Sequence, residues 1–471
     1  MVVITDPDII AGYLSDASNT HGHAEALVRP TCAVEVAEVL THCQARAIPV
    51  TVTARRTSTT GAPVPAGGWL LSTELLTAPG GVDEVGAGEL LGEVQARADA
   101  VGLHFPPDPT SRHECSVGAA IACNASGARS FRYGPTRRWI SEVEVVLPTG
   151  DVLIADRTTP IPDHWPRPFW IEPQVKTAAG YYPADNLLDL LIGQEGTLGV
   201  ITRARLRLIP RSPDSLLLLA FFPDIHSTLA FVAVARAGAQ RPNRPQAEPG
   251  ALDPSAIEFY DDHCLDLVRQ RGIDVPATAV AALSIEIEHD GEPPLERWWE
   301  ALEAAGALVD DTVVADDERG RRRLFEIRHS IPAGINERVV QNGMPKVGTD
   351  FAVPDVHLAE MMARYAAVPL EQVCFGHIGD SHLHLNLLPR DAAELAEARR
   401  WYRELALHAV ALGGTVSAEH GIGKLKRELL AGMVGPQVLH RFQALKAVVD
   451  PAWILGRGTL LAPPLPGGAG V

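Results

Sequence analysis

The stretch that most constrains this chain is residues 375–386, Phe-Gly-His-Ile-Gly-Asp-Ser-His-Leu-His-Leu-Asn, with three histidines, one aspartate and one asparagine in twelve positions. From His382 onward polar and apolar residues alternate. In an extended strand, residues two apart share a face. The pattern therefore predicts that His382, His384 and Asn386 project together while Leu383, Leu385 and Leu387 enter a core. Gly379, Asp380 and Ser381 carry turn chemistry that would fold the chain back and set His377 beside His384. Two neutral imidazoles held in this way suit a borderline-soft divalent ion such as zinc. The competing reading is a set of separately hydrogen-bonded histidines in an interior strand.

A second stretch, residues 413–423, reads Gly-Gly-Thr-Val-Ser-Ala-Glu-His-Gly-Ile-Gly. It places Glu419 and His420 between glycines, where backbone can approach a ligand closely. A catalytic zinc takes three protein ligands and keeps one position open. Two histidines of the first stretch and Glu419 supply that number, which leaves His420 as a general base beside the open position. Taken alone, Glu419-His420 would be an ordinary loop pair.

At 471 residues the chain is too long for one small core and implies two or three domains. Its composition, 46% hydrophobic and 21% charged, is that of a folded globular protein. The net charge of −17 repels nucleic acid and anionic lipid surfaces, while a local cationic pocket would still admit a small anionic substrate. The six cysteines form no CxxC pair and no disulfide-like framework, which fits a reducing cytoplasm. The N-terminus lacks the basic region and apolar core of a signal peptide. The longest apolar run, residues 216–222, falls far short of the roughly 20 residues that span a bilayer. A soluble, cytoplasmic protein is expected, with at most a loose membrane association.

Along the chain, residues 33–47 show helical spacing and 48–52 read as the following strand. Residues 54–61 (Ala-Arg-Arg-Thr-Ser-Thr-Thr-Gly) form a polar turn able to hold phosphate oxygens or simply to be solvated. Residues 90–101 predict an amphipathic helix, and the prolines within 106–110 a rigid loop. Small residues dominate 115–128, as expected where backbone lies against a large flat group or where a helix packs tightly. Residues 142–147 and 152–154 flank Pro148-Thr149-Gly150-Asp151, a hairpin signal. Residues 192–201 are glycine-punctuated and lead into a strand over 202–208 with Arg203, Arg205 and Arg207 on one face. After Pro210 the pattern suggests an α+β unit, with strands at 216–222 and 284–288, a surface loop at 241–254 and a helix at 295–305. No internal repeat is visible, and the Pro/Gly-rich tail after Ala462 is expected to be loose.

In this order the stretches resemble the flavin-dependent 2-hydroxy acid dehydrogenases of the vanillyl-alcohol oxidase/p-cresol methylhydroxylase superfamily. That group contains D-lactate dehydrogenases, D-2-hydroxyglutarate dehydrogenases and the glycolate oxidase FAD subunit. The resemblance runs from about Val28 to Leu461. It rests on Pro107-Asp108-Pro109-Thr110, Asn124-Ala125-Ser126-Gly127, Tyr133-Gly134-Pro135-Thr136-Arg137, Gln194-Glu195-Gly196-Thr197-Leu198-Gly199, Gly376-His377-Ile378-Gly379-Asp380 and Glu419-His420-Gly421-Ile422-Gly423.

It implies an α+β protein: an FAD-binding domain of two α+β subdomains over 1–210, a cap domain with an antiparallel sheet over 211–410, and a segment over 411–471 that returns to the FAD domain. It also implies non-covalent FAD, with the pyrophosphate on Arg55, Arg56, Thr57, Ser58, Thr59 and Gly61. Pro107, Asp108, Ser116, Gly118, Asn124, Ser126, Gly127, Tyr133, Gly134, Glu195, Gly196, Gly199 and Ile201 are the other implied cofactor-binding positions. Zinc or a similar divalent ion falls on His377, His384 and Glu419, and the base on His420. The substrate falls on Arg328, Lys346, Asn386 and His382. The implied partners are a small 2-hydroxy acid and an electron acceptor of quinone, cytochrome or electron-transfer flavoprotein type, and a homodimer is compatible.

Two departures stand out. Arg55-Arg56-Thr57-Ser58 occupies a loop that is usually glycine-rich in the family, so it must be shaped differently or lean on side-chain charge. Ser381-His382 replaces the usual Gly-Asn and adds a third imidazole, which would either compete as a ligand or face the substrate. Two other classes compete with this reading: a zinc hydrolase, which leaves the small-residue stretch without purpose, and a non-catalytic FAD-binding subunit of a larger oxidase.

Overall fold

The helix Ala33–Gln44 forms because Val36, Val39, Leu40 and Cys43 recur at helical spacing, and all four are buried. It leads into the strand Val50–Thr53, which runs parallel to Trp69–Ser72. Ala26–Val28 lies parallel on the other side of Trp69–Ser72, and Val3–Ile4 closes the edge of this four-stranded sheet. A second, antiparallel sheet has the order Glu84–Gly86, Val200–Leu206, Ile140–Val146, Val152–Asp156. The hairpin expected around Pro148-Thr149-Gly150-Asp151 joins its last two strands. Arg203 and Arg205 do share a face, where they pair with Glu84 and Glu144. This computed structural model describes residues 2–463 except 79, 212, 213, 290, 292–294, 316 and 317. The tail beyond 463 lies outside the described residues.

A third sheet of eight strands fills the second half of the chain. Its backbone is the antiparallel run Asp214–Phe222, Ala281–His289, Ala256–Tyr260, Gln372–His377, His382–Leu387. Within the Asp214–Phe222 strand, residues 216–222 are continuously apolar because both faces are covered. Leu216, Leu218, Ala220 and Phe222 join one core cluster, while Leu219 and Phe221 join another with Cys264, Leu265 and Ile327. Among the described residues no helix is long and apolar enough to cross a membrane.

Three sets of contacts tie these parts together. Arg129 pairs with Glu286 at 2.5 Å, Arg132 with Asp253 at 2.7 Å, and Tyr133 donates its hydroxyl to Glu288, joining residues 129–133 to the eight-stranded sheet. The C-terminal helix Arg427–Val449 brings Lys446 onto the Thr197 carbonyl, and Val50 donates its amide to Ile454 at 2.7 Å. Finally, the Glu195 carboxylate accepts from the amides of Ile422 at 2.8 Å and Gly423 at 2.7 Å. Burial pushes the Glu195 pKa up to about 7 against the pull of those amides.

Glu195→Gln keeps the shape but turns an amide N–H₂ toward one of two backbone donors. At pH 8, where the wild-type carboxylate is ionised, it should cost about 1–3 kcal/mol, the usual penalty of a buried donor without an acceptor. The check is the midpoint of unfolding followed by circular dichroism, and an unchanged midpoint would show that the contact contributes nothing.

Candidate active site

The strand Gln372–His377, a turn over Ile378–Asp380 and the strand His382–Leu387 form a tight hairpin, with His377 paired to His382 and Phe375 to His384. Ser381 takes the left-handed conformation (φ 52°) that closes the turn. The imidazoles of His377, His382 and His384 meet on one face, with ring centroids 4.4–5.6 Å apart. Leu383, Leu385 and Leu387 point into the core, as the alternation predicts.

Glu419 reaches this cluster from the loop after the helix Ala392–Ala411. One carboxylate oxygen lies 3.3 Å from His377 Nε2 and the other 3.3 Å from His384 Nε2. His420 Nε2 is 3.6 Å from the second oxygen, and His382 Nδ1 is 4.0 Å from the first. Each imidazole has an acceptor on its far side. His377 Nδ1 sits 2.6 Å from Glu258, and His384 Nδ1 3.1 Å from the Thr349 carbonyl. His382 Nε2 is 3.0 Å from Asp350, and His420 Nδ1 3.5 Å from it. A neutral imidazole donates to only one of two acceptors, so its other nitrogen faces Glu419 favourably when the ring is itself a cation or when a cation lies between the two.

The chain itself provides two such cations. Burial opposes a charge on His377, but Glu258 and Glu419 outweigh it and push its pKa up to about 9. Lys176 places its ammonium 2.8 Å from Glu419 and 3.3 Å from the Gly127 carbonyl. Burial would raise the Glu419 pKa, yet Lys176 and the histidines hold it well below the usual carboxylate range.

The donor set also fits a metal. Ligand atoms of His377, His382, His384 and Glu419 all lie within 4.8 Å of one another. The 3.3 Å separations match the roughly 3.3 Å between two ligands each about 2.0 Å from a tetrahedral zinc. Anchored far-side nitrogens are what metal-binding imidazoles require.

Beside this cluster opens a cavity of about 840 Å³. Arg55, Arg56, Thr57, Ser58, Thr59, Gly118, Ser126, Glu195, Gly196, Gly199 and Ile201 line it, as do Glu419 and His420. The small-residue stretch is a tightly packed helix with one side on the cavity. Val117–Ala122 is a short helix whose Gly118 packs so closely on Ala87 that an added Cβ would lie 2.6 Å from the Ala87 Cβ, and its other side faces the cavity. Cys115 and Cys123 also face the cavity, and burial raises both thiols, Cys115 to about 11, which keeps them protonated and poorly nucleophilic.

The remaining expected cofactor positions shape the walls without lining the cavity. Ser116 caps the short helix, and Asn124 (φ 47°) accepts from the Arg137 amide. Gly127 lies where a Cβ would meet the Asp108 carbonyl at 1.8 Å. Pro107 accepts from Gln95, Asp108 pairs with Arg112, and Gly61 donates to Asp16. Tyr133 is engaged with Glu288, and Gly134 (φ 74°) ends the Ser130–Tyr133 helix.

The expected substrate residues divide. Arg328, on the helix Glu318–Asn342, is exposed. Desolvation works against its charge, but Tyr260, Glu258, Asp108 and Glu286 overcome this and raise its pKa. Lys346 is also exposed and donates to Asn386 at 2.9 Å, its pKa lowered by desolvation. Asn386 is buried and spends its amide on the His384 carbonyl. His382 has no exposed surface and faces Glu419 and Asp350 instead of the cavity. His420 is a third exposed, and burial lowers its pKa to about 4 against Asp350 and Glu419, so it is neutral at pH 7.

Three residues escaped the sequence reading. Glu258 is a carboxylate inside an otherwise apolar strand, and Asp350 precedes the apolar run 351–353; both are signals of a buried charge with a task. Lys176 carried no signal at all.

Comparison with known proteins settles the family. Residues 24–156 match the FAD binding domain, and residues 215–460 match the C-terminal domain of FAD linked oxidases. The chain belongs to the FAD-linked oxidase family. As a member it is an FAD-binding oxidoreductase. It is 29% identical to a D-lactate dehydrogenase of Anaerostipes hadrus, over 97% of this chain and 94% of that one. It is 30% identical to a D-2-hydroxyglutarate dehydrogenase of Xanthomonas citri pv. viticola (92% and 89%) and 27% to glycolate oxidase subunit GlcD of Bacillus subtilis (93% and 89%). The fold is shared with alkyldihydroxyacetonephosphate synthase, at a TM-score of 0.66 and 14% identity over 96% of this chain and 81% of that one.

As a metal-competent set, His377, His384 and Glu419 should each lower the divalent-metal content retained after dialysis when replaced by Ala, measured by elemental analysis against the wild type. Full retention in any of the three would take that residue out of the ligand set.

Proposed function

We propose that this family member oxidises a small 2-hydroxy acid of the D-lactate, glycolate or D-2-hydroxyglutarate type to its 2-oxo acid. The observation that carries this reading is one continuous arrangement: a cofactor-sized cavity, a metal-competent His/His/Glu cluster on its wall, and a neutral His420 exposed between them. The names of the relatives support the substrate class. When bound, FAD supplies the acceptor for the C2 hydrogen and its electron pair, and the metal supplies Lewis acidity at the substrate hydroxyl.

The chain's own groups provide the rest. His377, His384 and Glu419 would hold the ion, their far sides fixed by Glu258, the Thr349 carbonyl and, through the Glu419 amide, Asp350. His420 accepts the hydroxyl proton at Nε2, while Asp350 beside Nδ1 holds the ring in the tautomer that leaves Nε2 free. Asp350 can hold its charge in a dry site because Lys426 at 2.7 Å and Ser417 at 2.8 Å bind it. Arg328 and Lys346 are the cations available for the substrate carboxylate, Arg328 through a planar fork. A quinone, cytochrome or electron-transfer flavoprotein is the expected electron acceptor.

The direct test is anaerobic bleaching of the flavin by a panel of D- and L-2-hydroxy acids, followed by turnover with an artificial dye. A yellow protein that no 2-hydroxy acid bleaches would overturn the reading. His420→Asn should keep FAD and metal yet slow bleaching roughly 10²- to 10⁴-fold, the usual weight of a general base. Loss of metal in that variant would make His420 a ligand. Arg328→Ala should lower kcat/KM about 10- to 100-fold, as expected when one charged hydrogen-bond partner is removed. An unaffected variant would leave Arg328 an ordinary surface residue.

A further inference from the structure

His382 is the one imidazole of the cluster with no exposed surface at all. Its exposure is zero, so it cannot touch a substrate, and neither ring nitrogen has a well-aligned hydrogen-bond partner. A buried imidazole left without aligned partners is costly, and a core histidine kept only for packing would be satisfied. The orientation of the ring is informative. Nε2 faces Asp350 Oδ1 at 3.0 Å, so the proton belongs on that nitrogen. Nδ1 then presents its lone pair toward Glu419, 4.0 Å away, a separation too long for a hydrogen bond. The placement repeats that of His377 and His384: an acceptor behind the ring and the other ring nitrogen aimed at the same carboxylate.

We infer that His382 is a fourth protein ligand, so that the site would hold its ion with three imidazoles and Glu419 and take the substrate hydroxyl as a fifth donor, a coordination number that catalytic zinc reaches. The inference rests on the metal reading proposed above and adds a residue to it. It also accounts for Lys176. Glu419 shares its charge with that ammonium at 2.8 Å, which makes it a weaker donor to a metal than a free carboxylate. A third imidazole offsets the loss and shifts preference toward zinc-like ions and away from magnesium, calcium and manganese, which favour oxygen ligands.

The test begins with the wild-type holoprotein, stripped with a chelator and reloaded with Zn²⁺. Zinc X-ray absorption should count three imidazoles, whereas two would overturn the inference even if no variant folds. His382→Asn, with folding verified by circular dichroism and by FAD content, should bind Zn²⁺ at least roughly 10²-fold more weakly in competition with a chromogenic chelator. That loss lies at or beyond the top of the range for residues that only orient a ligand. The gap between Zn²⁺ and Mn²⁺ affinity should narrow in the same variant, and its Co²⁺-loaded form should show a changed visible spectrum. Unchanged affinity with an unchanged Co²⁺ spectrum would reduce His382 to a buried neighbour while leaving the three-ligand metal site standing. A wild-type protein that binds no divalent ion would instead remove the metal reading itself, and this inference with it.

Discussion

The Glu419 carboxylate is the point on which the rest of this structure depends. Three separately folded parts of the chain reach it: the histidine hairpin of the large sheet, Lys176 from the segment between the second sheet and its last strand, and the loop that carries Glu419 itself. A buried carboxylate costs several kcal/mol unless it is paired, so burial of Glu419 favours the arrangement in which all three meet. The cost of burying one charge thus links the hairpin, the segment that carries Lys176 and the C-terminal loop.

The same logic extends one layer out. Asp350, with almost no exposed surface, is bound by Lys426, Ser417 and the amides of Glu419 and His420, and it faces both His382 and His420. Despite burial, His420 and Lys426 hold it well below the usual carboxylate range. A single side chain therefore orients the backbone that carries Glu419 and His420 and the rings of two histidines. Glu258 plays the narrower part, with a single imidazole, His377, beside it at 2.6 Å. Such networks cost little when every member is satisfied, and they pin side chains more rigidly than apolar packing does.

The loop at 55–59 shows how a chain keeps a backbone shape without the residue that makes it easy. Arg56 adopts a left-handed conformation (φ 59°) that glycine takes at little cost. Its guanidinium turns back onto the Ala54 carbonyl and over the Tyr13 ring, contacts that help offset the strain. Arg55 is left exposed on the cavity wall. The two adjacent arginines thus differ in placement, Arg56 turned back onto the protein and Arg55 out toward the cavity.

What the sequence by itself determined is local. Period-two alternation placed His382 and His384 on one face of a strand, turn chemistry at 379–381 folded His377 back beside them, and the glycines flanking Glu419-His420 marked a close approach. The α+β character, the hairpin at 148–151 and the small-residue wall were legible for the same reason: each is a consequence of neighbours a few residues apart. Only the tertiary structure decided which charges share a site. Lys176, Glu258 and Asp350 meet the histidines from positions tens to hundreds of residues away in the chain, and their pairing is set by the cost of desolvation, which no local pattern encodes. The fate of His382 was decided in the same way. Alternation could give its face, but whether that face opened to a substrate or closed onto Glu419 depended on what the rest of the chain laid over it.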